Sequence, residues 1–230
     1  MQALFLTEGI TNHVLPIDDR SIERLDPGLA GRPDLMAGRT SLTVYEGMTG
    51  IMENAFINVK NRSHSITAEV DIPGQEANGV IICQGGRFGG WTLYLEDGKP
   101  TYTYNWVGLK RYTIAGAKRL PSGKVTIRFE FAYDGGRLGA GGLGTLFVNG
   151  EQVAQGRIDN TNPLIFSPDE TADVGIDEAT PVTEDYKAGN SRFTGKIYQV
   201  TIDIKPFASG VRDKVEKADQ QLMLDKAAED

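Results

Sequence analysis

Carboxylates crowd one irregular stretch of the chain, and among them Asp173, Asp177, Glu178 and Asp185 lie in DETADVGIDEATPVTED, residues 169–185. Hard oxygen donors on a loop suit calcium, which is held by carboxylates, carbonyls and water. The spacing is not that of an EF-hand loop, so the stretch reads first as an acidic surface loop, with calcium between Asp173 and Asp185 as the alternative. A second group of residues suits sugar recognition. Rings stack on the apolar face of a pyranose while an amide or guanidinium takes its hydroxyls, and Arg87, Trp91, Tyr104, Asn105 and Trp106 offer those groups within 20 residues of one another. The competing reading puts these aromatics in the core or in a contact between domains, because alternation alone does not say which face of a sheet points inward.

The remaining reactive residues are sparse. Cys83 is the only cysteine, follows apolar residues in VIICQGG and has no base beside it, which fits a buried core thiol. One cysteine forms no internal disulfide and no multi-thiolate zinc site. His13 and His64, the two histidines, have no second histidine or carboxylate at metal-ligand spacing and read as structural or surface groups. GGRFGG lacks the Lys-Ser/Thr of a phosphate loop, and GRLGAGGLG has no helical pattern after it. No catalytic residue and no metal ligand set emerges.

The elements that must carry these residues are strands. In NGVIICQGGRFGGWTLYLEDGKPTYTYNW, residues 78–106, VIIC, WTLYL and TYTYNW are separated by GGRFGG and by Asp97-Gly98, a hairpin-turn signal. Tyr102, Tyr104 and Trp106 alternate with Thr101, Thr103 and Asn105, giving one aromatic face and one short polar face. Ile66, Ala68, Val70 and Ile72 alternate with Ser65, Thr67, Glu69 and Asp71. Val125, Ile127, Phe129, Phe131 and Tyr133 alternate with Thr126, Arg128 and Glu130. Both runs are half-buried antiparallel strands. Asn149-Gly150 predicts a tight hairpin, and KIYQVTIDI a closing strand. Ten or more strands joined by turns favour a two-sheet sandwich or jelly roll.

Residues 1–39 differ in texture. A short helical opening is followed by Pro16 and further breakers, yet the segment carries Leu4, Leu6, Val14, Leu15, Ile17 and Leu25, too apolar for a free linker. It reads as a connector that docks on something. The β domain spans 40–207. Beyond it, residues 208–230 place Val211, Val215, Ala218 and Leu222 at helical spacing, an amphipathic C-terminal helix.

A formal charge of -7 in 230 residues argues against a nucleic-acid backbone or an anionic membrane surface as the main partner. No apolar run is long enough to span a bilayer, and the N-terminus lacks the pattern of a secretory signal, so a soluble protein of periplasm or cytoplasm is expected.

The strings GRPDLMAGRTSLTVYEGM, NVKNRSHSITAEVDIP, GVIICQGGRFGGWTLYLEDGKPTYTYNW, FEFAYDGGRLGAGGLGTLFVNG and TADVGIDEATPVTEDY resemble the C-terminal portion of long bacterial arylsulfatases. The likeness runs from Val14–Arg20 through KIYQVTIDI. It implies an all-β, concanavalin A-like jelly-roll sandwich with short helical extensions at both ends, following a sulfatase catalytic domain. The nucleophile of that family is a formylglycine made from the first residue of a C/S-x-P-x-R motif. Cys83 is followed by Gln84, Gly85, Gly86 and Arg87, so it is not that residue. The formylglycine and calcium of the family would lie in the upstream domain, and this chain would hold neither. The resemblance therefore implies a non-catalytic domain that packs on a sulfatase catalytic domain and shapes substrate access or oligomer contacts. A lectin-like carbohydrate-binding module is the alternative.

Overall fold

In the computed structural model, residues 2–11, 35–74, 76–167, 169–207, 214 and 217 are described. The chain divides into two compact units, Met1–Asp34 and Leu35–Asp230. In the first, the expected helical opening is α1 (Gln2–Thr11). The expected C-terminal helix falls almost wholly outside the described residues.

The second unit contains eleven strands among the described residues: β1 (Ser41–Val44), β2 (His64–Ile72), β3 (Gly79–Gly86), β4 (Gly89–Glu96), β5 (Lys99–Trp106), β6 (Lys110–Ala115), β7 (Gly123–Tyr133), β8 (Ala140–Val148), β9 (Glu151–Asn160), β10 (Ala172–Val174) and β11 (Lys196–Ile204). They form a six-stranded sheet in the order β1-β11-β2-β7-β8-β9 and a five-stranded sheet in the order β10-β3-β4-β5-β6. Every ladder is antiparallel. The fold is the expected all-β, jelly-roll sandwich.

Local sequence explains the elements. Asn149 and Gly150 stand at φ 51° and 86°, the left-handed geometry that turns β8 into β9 without splaying the strands. Alternation then sorts side chains by face. Ile66, Ala68 and Val70 on β2 and Val125, Ile127 and Phe129 on β7 bury themselves between the sheets, opposed by Trp91, Leu93 and Tyr102 of the other sheet. Tyr102 stacks on Phe129 with centroids 3.5 Å apart and planes 9° off parallel, and Trp91 stacks behind Tyr102. These rings join the two sheets at their centre.

The chain between β10 and β11, residues 175–195, lies across the outward face of the five-stranded sheet. Backbone bonds hold it there: Val80 N donates to Ser191 O, Gly175 N to Ile81 O and Thr194 N to Asn78 O. Under this cap Val80, Cys83, Tyr94 and Val182 form a second, smaller core, against which Tyr186 packs. Gly86 permits the close approach. A Cβ there would stand 2.7 Å from Thr180 O.

Candidate functional site

The structure divides the five aromatic and polar candidates from the sugar-binding expectation. Trp91 is fully buried, with its Nε1 donating to Gln84 Oε1 at 3.0 Å. Tyr104 is buried on the same inward face, and its hydroxyl accepts from the Asn162 backbone N–H. Asn105 is fully buried on the opposite face, where its amide donates to the carbonyls of Gly86 and Arg87 and its oxygen accepts from Gly108 N, tying two hairpin tips together. Trp106 is half-buried against the main core. Arg87 alone is exposed. The expectation of a sugar face on Trp91, Tyr104 and Asn105 is corrected: the aromatic side of β5 is the inside of the sandwich, and the polar side lies beneath hairpin tips. Burial leaves a sugar no access to those rings.

The histidines are structural where described. His64 begins β2 in the inward-facing set, packed on Phe131 and Phe129, and burial pushes its pKa down to about 4. His13 lies outside the described residues.

The acidic stretch is not a surface loop along its whole length. Asp173 of β10 and Asp177 of the cap are buried against Cys83, and the ligand atoms of the three lie within 4.8 Å of one another. Asp173 Oδ1 accepts from Gly50 N at 2.8 Å and from the Thr171 hydroxyl, and its Oδ2 accepts from Glu178 N. Asp177 Oδ2 accepts from Val182 N at 3.1 Å and from the Tyr186 hydroxyl at 2.8 Å. Burial, with Asp173 and Glu170 nearby, lifts the Asp177 carboxyl to about 6 against those hydrogen bonds. Burial and the same carboxylates push the Cys83 thiol well up. Asp185 is taken by the Tyr94 hydroxyl, and Glu178 is exposed. The reading of Cys83 as a buried core thiol holds, but its neighbours are carboxylates. Asp173 arrives on β10, 90 residues away in sequence, and Asp177 on the chain just after it, which no local pattern shows.

The other outward face is open. On the six-stranded sheet, register aligns Thr43, Thr201, Thr67, Arg128 and Phe147 in one row and Asp203, Ser65, Glu130 and Thr145 in the next. A groove of about 490 Å³ runs over these rows, lined by Ser65, Thr67, Thr126, Arg128, Phe147, Gly150 and Asp203. The Arg128 guanidinium lies 5.5 Å from the centre of the Phe147 ring and pairs with Glu130. A register shift in the β8–β9 ladder between Leu146 and Phe147 falls beside the groove. This arrangement presents hydroxyls, a carboxylate, a guanidinium and one half-buried ring to solvent. The alternation of β2 and β7 put Ser65 and Thr67 in one polar set and Thr126 and Arg128 in another; only the strand order reveals that they share a groove with Asp203.

No family model matches the chain, and no curated protein matches it. Among solved structures, the Ruminococcus gnavus IT-sialidase CBM40 bound to alpha2,3 sialyllactose aligns at 17% identity and a TM-score of 0.47, over 73% of this chain and 92% of that one. Mouse laminin alpha1 chain, domains LG4-5, aligns at 14% identity and a TM-score of 0.43, over 74% of this chain and 40% of that one. The NanB sialidase from Streptococcus pneumoniae aligns at 11% identity and a TM-score of 0.48, over 73% of this chain and 27% of that one. At such distances no ligand or residue role passes from those proteins to this one.

Proposed function

We propose that the chain is a non-catalytic, lectin-like β-sandwich module that binds a glycan in the open groove of the six-stranded sheet. One observation carries the reading: a groove of about 490 Å³, the size of an ordinary small-molecule site, whose lining groups match the chemistry of a sugar. Ser65, Thr67 and Thr126 exchange hydrogen bonds with hydroxyls, Asp203 accepts from them and Arg128 donates, while Phe147 offers an apolar surface to a ring face. The groove rests on a rigid sheet, so little ordering entropy is lost on binding.

The test is a glycan array probed with the full chain, followed by calorimetric titration of whatever is retained. Arg128→Ala and Phe147→Ala should each weaken binding by about tenfold or more, with melting temperature nearly unchanged because both side chains face solvent. Retention of no glycan, or binding that survives both substitutions, overturns the reading.

A second reading, docking on a sulfatase catalytic domain, is supported by α1, where Leu4, Phe5, Leu6 and Ile10 are each more than half exposed. On that reading the chain alone turns over no chromogenic aryl sulfate and co-purifies with such a domain when the two are co-expressed. Replacing all four residues by serine should abolish the co-purification; turnover by the isolated chain would remove the reading.

A further inference from the structure

On the covered face of the five-stranded sheet, register places Asp173, Cys83, Thr92, Thr103 and Thr113 in a single row across five strands. The far end of the row is satisfied. Thr103 and Thr113 share a hydrogen bond of 3.0 Å, and the Tyr94 hydroxyl reaches Thr103 at 3.2 Å. Thr92, in the middle, is fully buried and its hydroxyl faces the Tyr186 phenol without completing a hydrogen bond. Beyond it stands the nest of Cys83, Asp173 and Asp177. The row therefore passes from a closed hydroxyl ladder, through an unpartnered buried oxygen, to three buried acids.

A contrast within the same molecule sharpens the point. Buried Lys60 and half-buried Glu53 neutralise each other in an ion pair, with Glu53 Oε2 accepting from Phe166 N. Among the described residues no lysine or arginine pairs with Asp173 or Asp177. Buried acids without a counter-ion must stay protonated or recruit a cation. Main-chain N–H groups of Gly50, Glu178 and Val182 orient the carboxylates but bring no full positive charge.

We infer that Cys83, Asp173 and Asp177 form a structural site for a divalent transition-metal ion of the zinc class, which fastens the cap to the sheet. The donor set selects the ion. Calcium and magnesium take oxygen ligands, whereas a thiolate with carboxylates suits zinc. The site lies at the deeper end of the loop for which calcium was the alternative reading, and its donors suit a different class of ion. Zinc bonds of about 2.0 Å to oxygen and 2.3 Å to sulfur hold ligand atoms roughly 3.5 Å apart, and the three ligand atoms already lie within 4.8 Å of one another. Three protein ligands leave the fourth tetrahedral position to a water. Loading expels the Cys83 proton, and any proton on Asp177, to solvent, and leaves no redox change. The site lies on the sheet opposite the glycan groove and does not depend on it.

Cadmium tests the inference directly, because its bond to a thiolate absorbs in the ultraviolet and Cys83 is the only thiol in the chain. Full-length protein, stripped with a chelator and reduced with a thiol-free reductant, is titrated with cadmium, then with zinc in competition, and with calcium as comparison. One equivalent of cadmium should give the charge-transfer band, zinc should displace it, and metal should slow labelling of Cys83 by a thiol reagent at least about tenfold. Asp177→Asn should weaken binding by at least about tenfold, and Cys83→Ser should remove the band. Should a variant fail to fold, the native titration decides alone. Absence of the band at one equivalent, its persistence in the Asp173→Asn, Asp177→Asn double variant, or preference for calcium over zinc would each overturn the assignment.

Discussion

The two outward faces of the sandwich are made of the same kind of strand and have opposite fates. On the six-stranded sheet the outward set of β2 and β7 is Ser65, Thr67, Glu69, Thr126, Arg128 and Glu130, and it meets solvent. On the five-stranded sheet the outward set of β3 and β4 includes Val80, Cys83 and Tyr94, and the cap covers it. A strand buried on one side alternates; a strand buried on both reads as a near-continuous apolar run, as VIIC and WTLYL do. For β3 and β4 the apolar outward residues mark a face that must be roofed, whereas the polar outward residues of β5, Thr101, Thr103 and Asn105, are buried all the same.

Substitutions under the cap should far exceed those on the open face. Tyr94 packs edge-on against Tyr186 and bonds Thr103 and Asp185 through its hydroxyl, so Tyr94→Ala should cost about 3 kcal/mol or more in urea unfolding. A cost near that of a surface site would mean that the cap contributes little and would erase the contrast.

The next effect is in pH, and the two sheets should pull in opposite directions. His64 holds a folded pKa of about 4 against an ordinary 6.5, so the unfolded chain binds more protons between those values. Its contribution is complete above pH 6.5 and is lost as pH falls towards 4. Asp177 holds about 6 against an ordinary 3.8, so the folded chain binds more protons there; its contribution is complete below pH 3.8 and is lost as pH rises towards 6. Each is worth on the order of 1 to 3 kcal/mol. In metal-free protein, His64→Phe should make stability fall more steeply from pH 4 to 6, and Asp177→Asn should make it rise more steeply. Denaturant midpoints across that range report both slopes, and identical profiles in the two variants would refute the opposition.

Smallest of all, Thr67→Ala, on the open face, should shift stability by no more than about 0.5 kcal/mol, measured in the same denaturant. A larger loss would show that the hydroxyl row of the six-stranded sheet is structural and would weaken the case for a binding surface.

Much of this was legible in the chain itself. Alternation fixed which residues of β2, β5 and β7 share a face, and Asn149-Gly150 placed a hairpin. What alternation withheld was direction, so the rings of Trp91 and Tyr104 could be given to a ligand when they belong to the core. Pairing between distant strands was equally hidden. Cys83 meets Asp173 because β10 returns to the edge of β3, and Asp203 joins Arg128 over the groove because β11 lies beside β2. Both juxtapositions are made by long-range register, to which a short motif is blind.

The late position of the cap in the chain bears on how the molecule assembles. Strands β3 to β6 follow one another through short turns and pair in sequence, so that meander can form from local encounters, whereas residues 175–195 must return across almost the whole domain to roof it. Until they do, the sulfur of Cys83 is bare. Its rate of capture by a reagent during refolding would therefore time the last closing step of this fold, with no engineered cysteine.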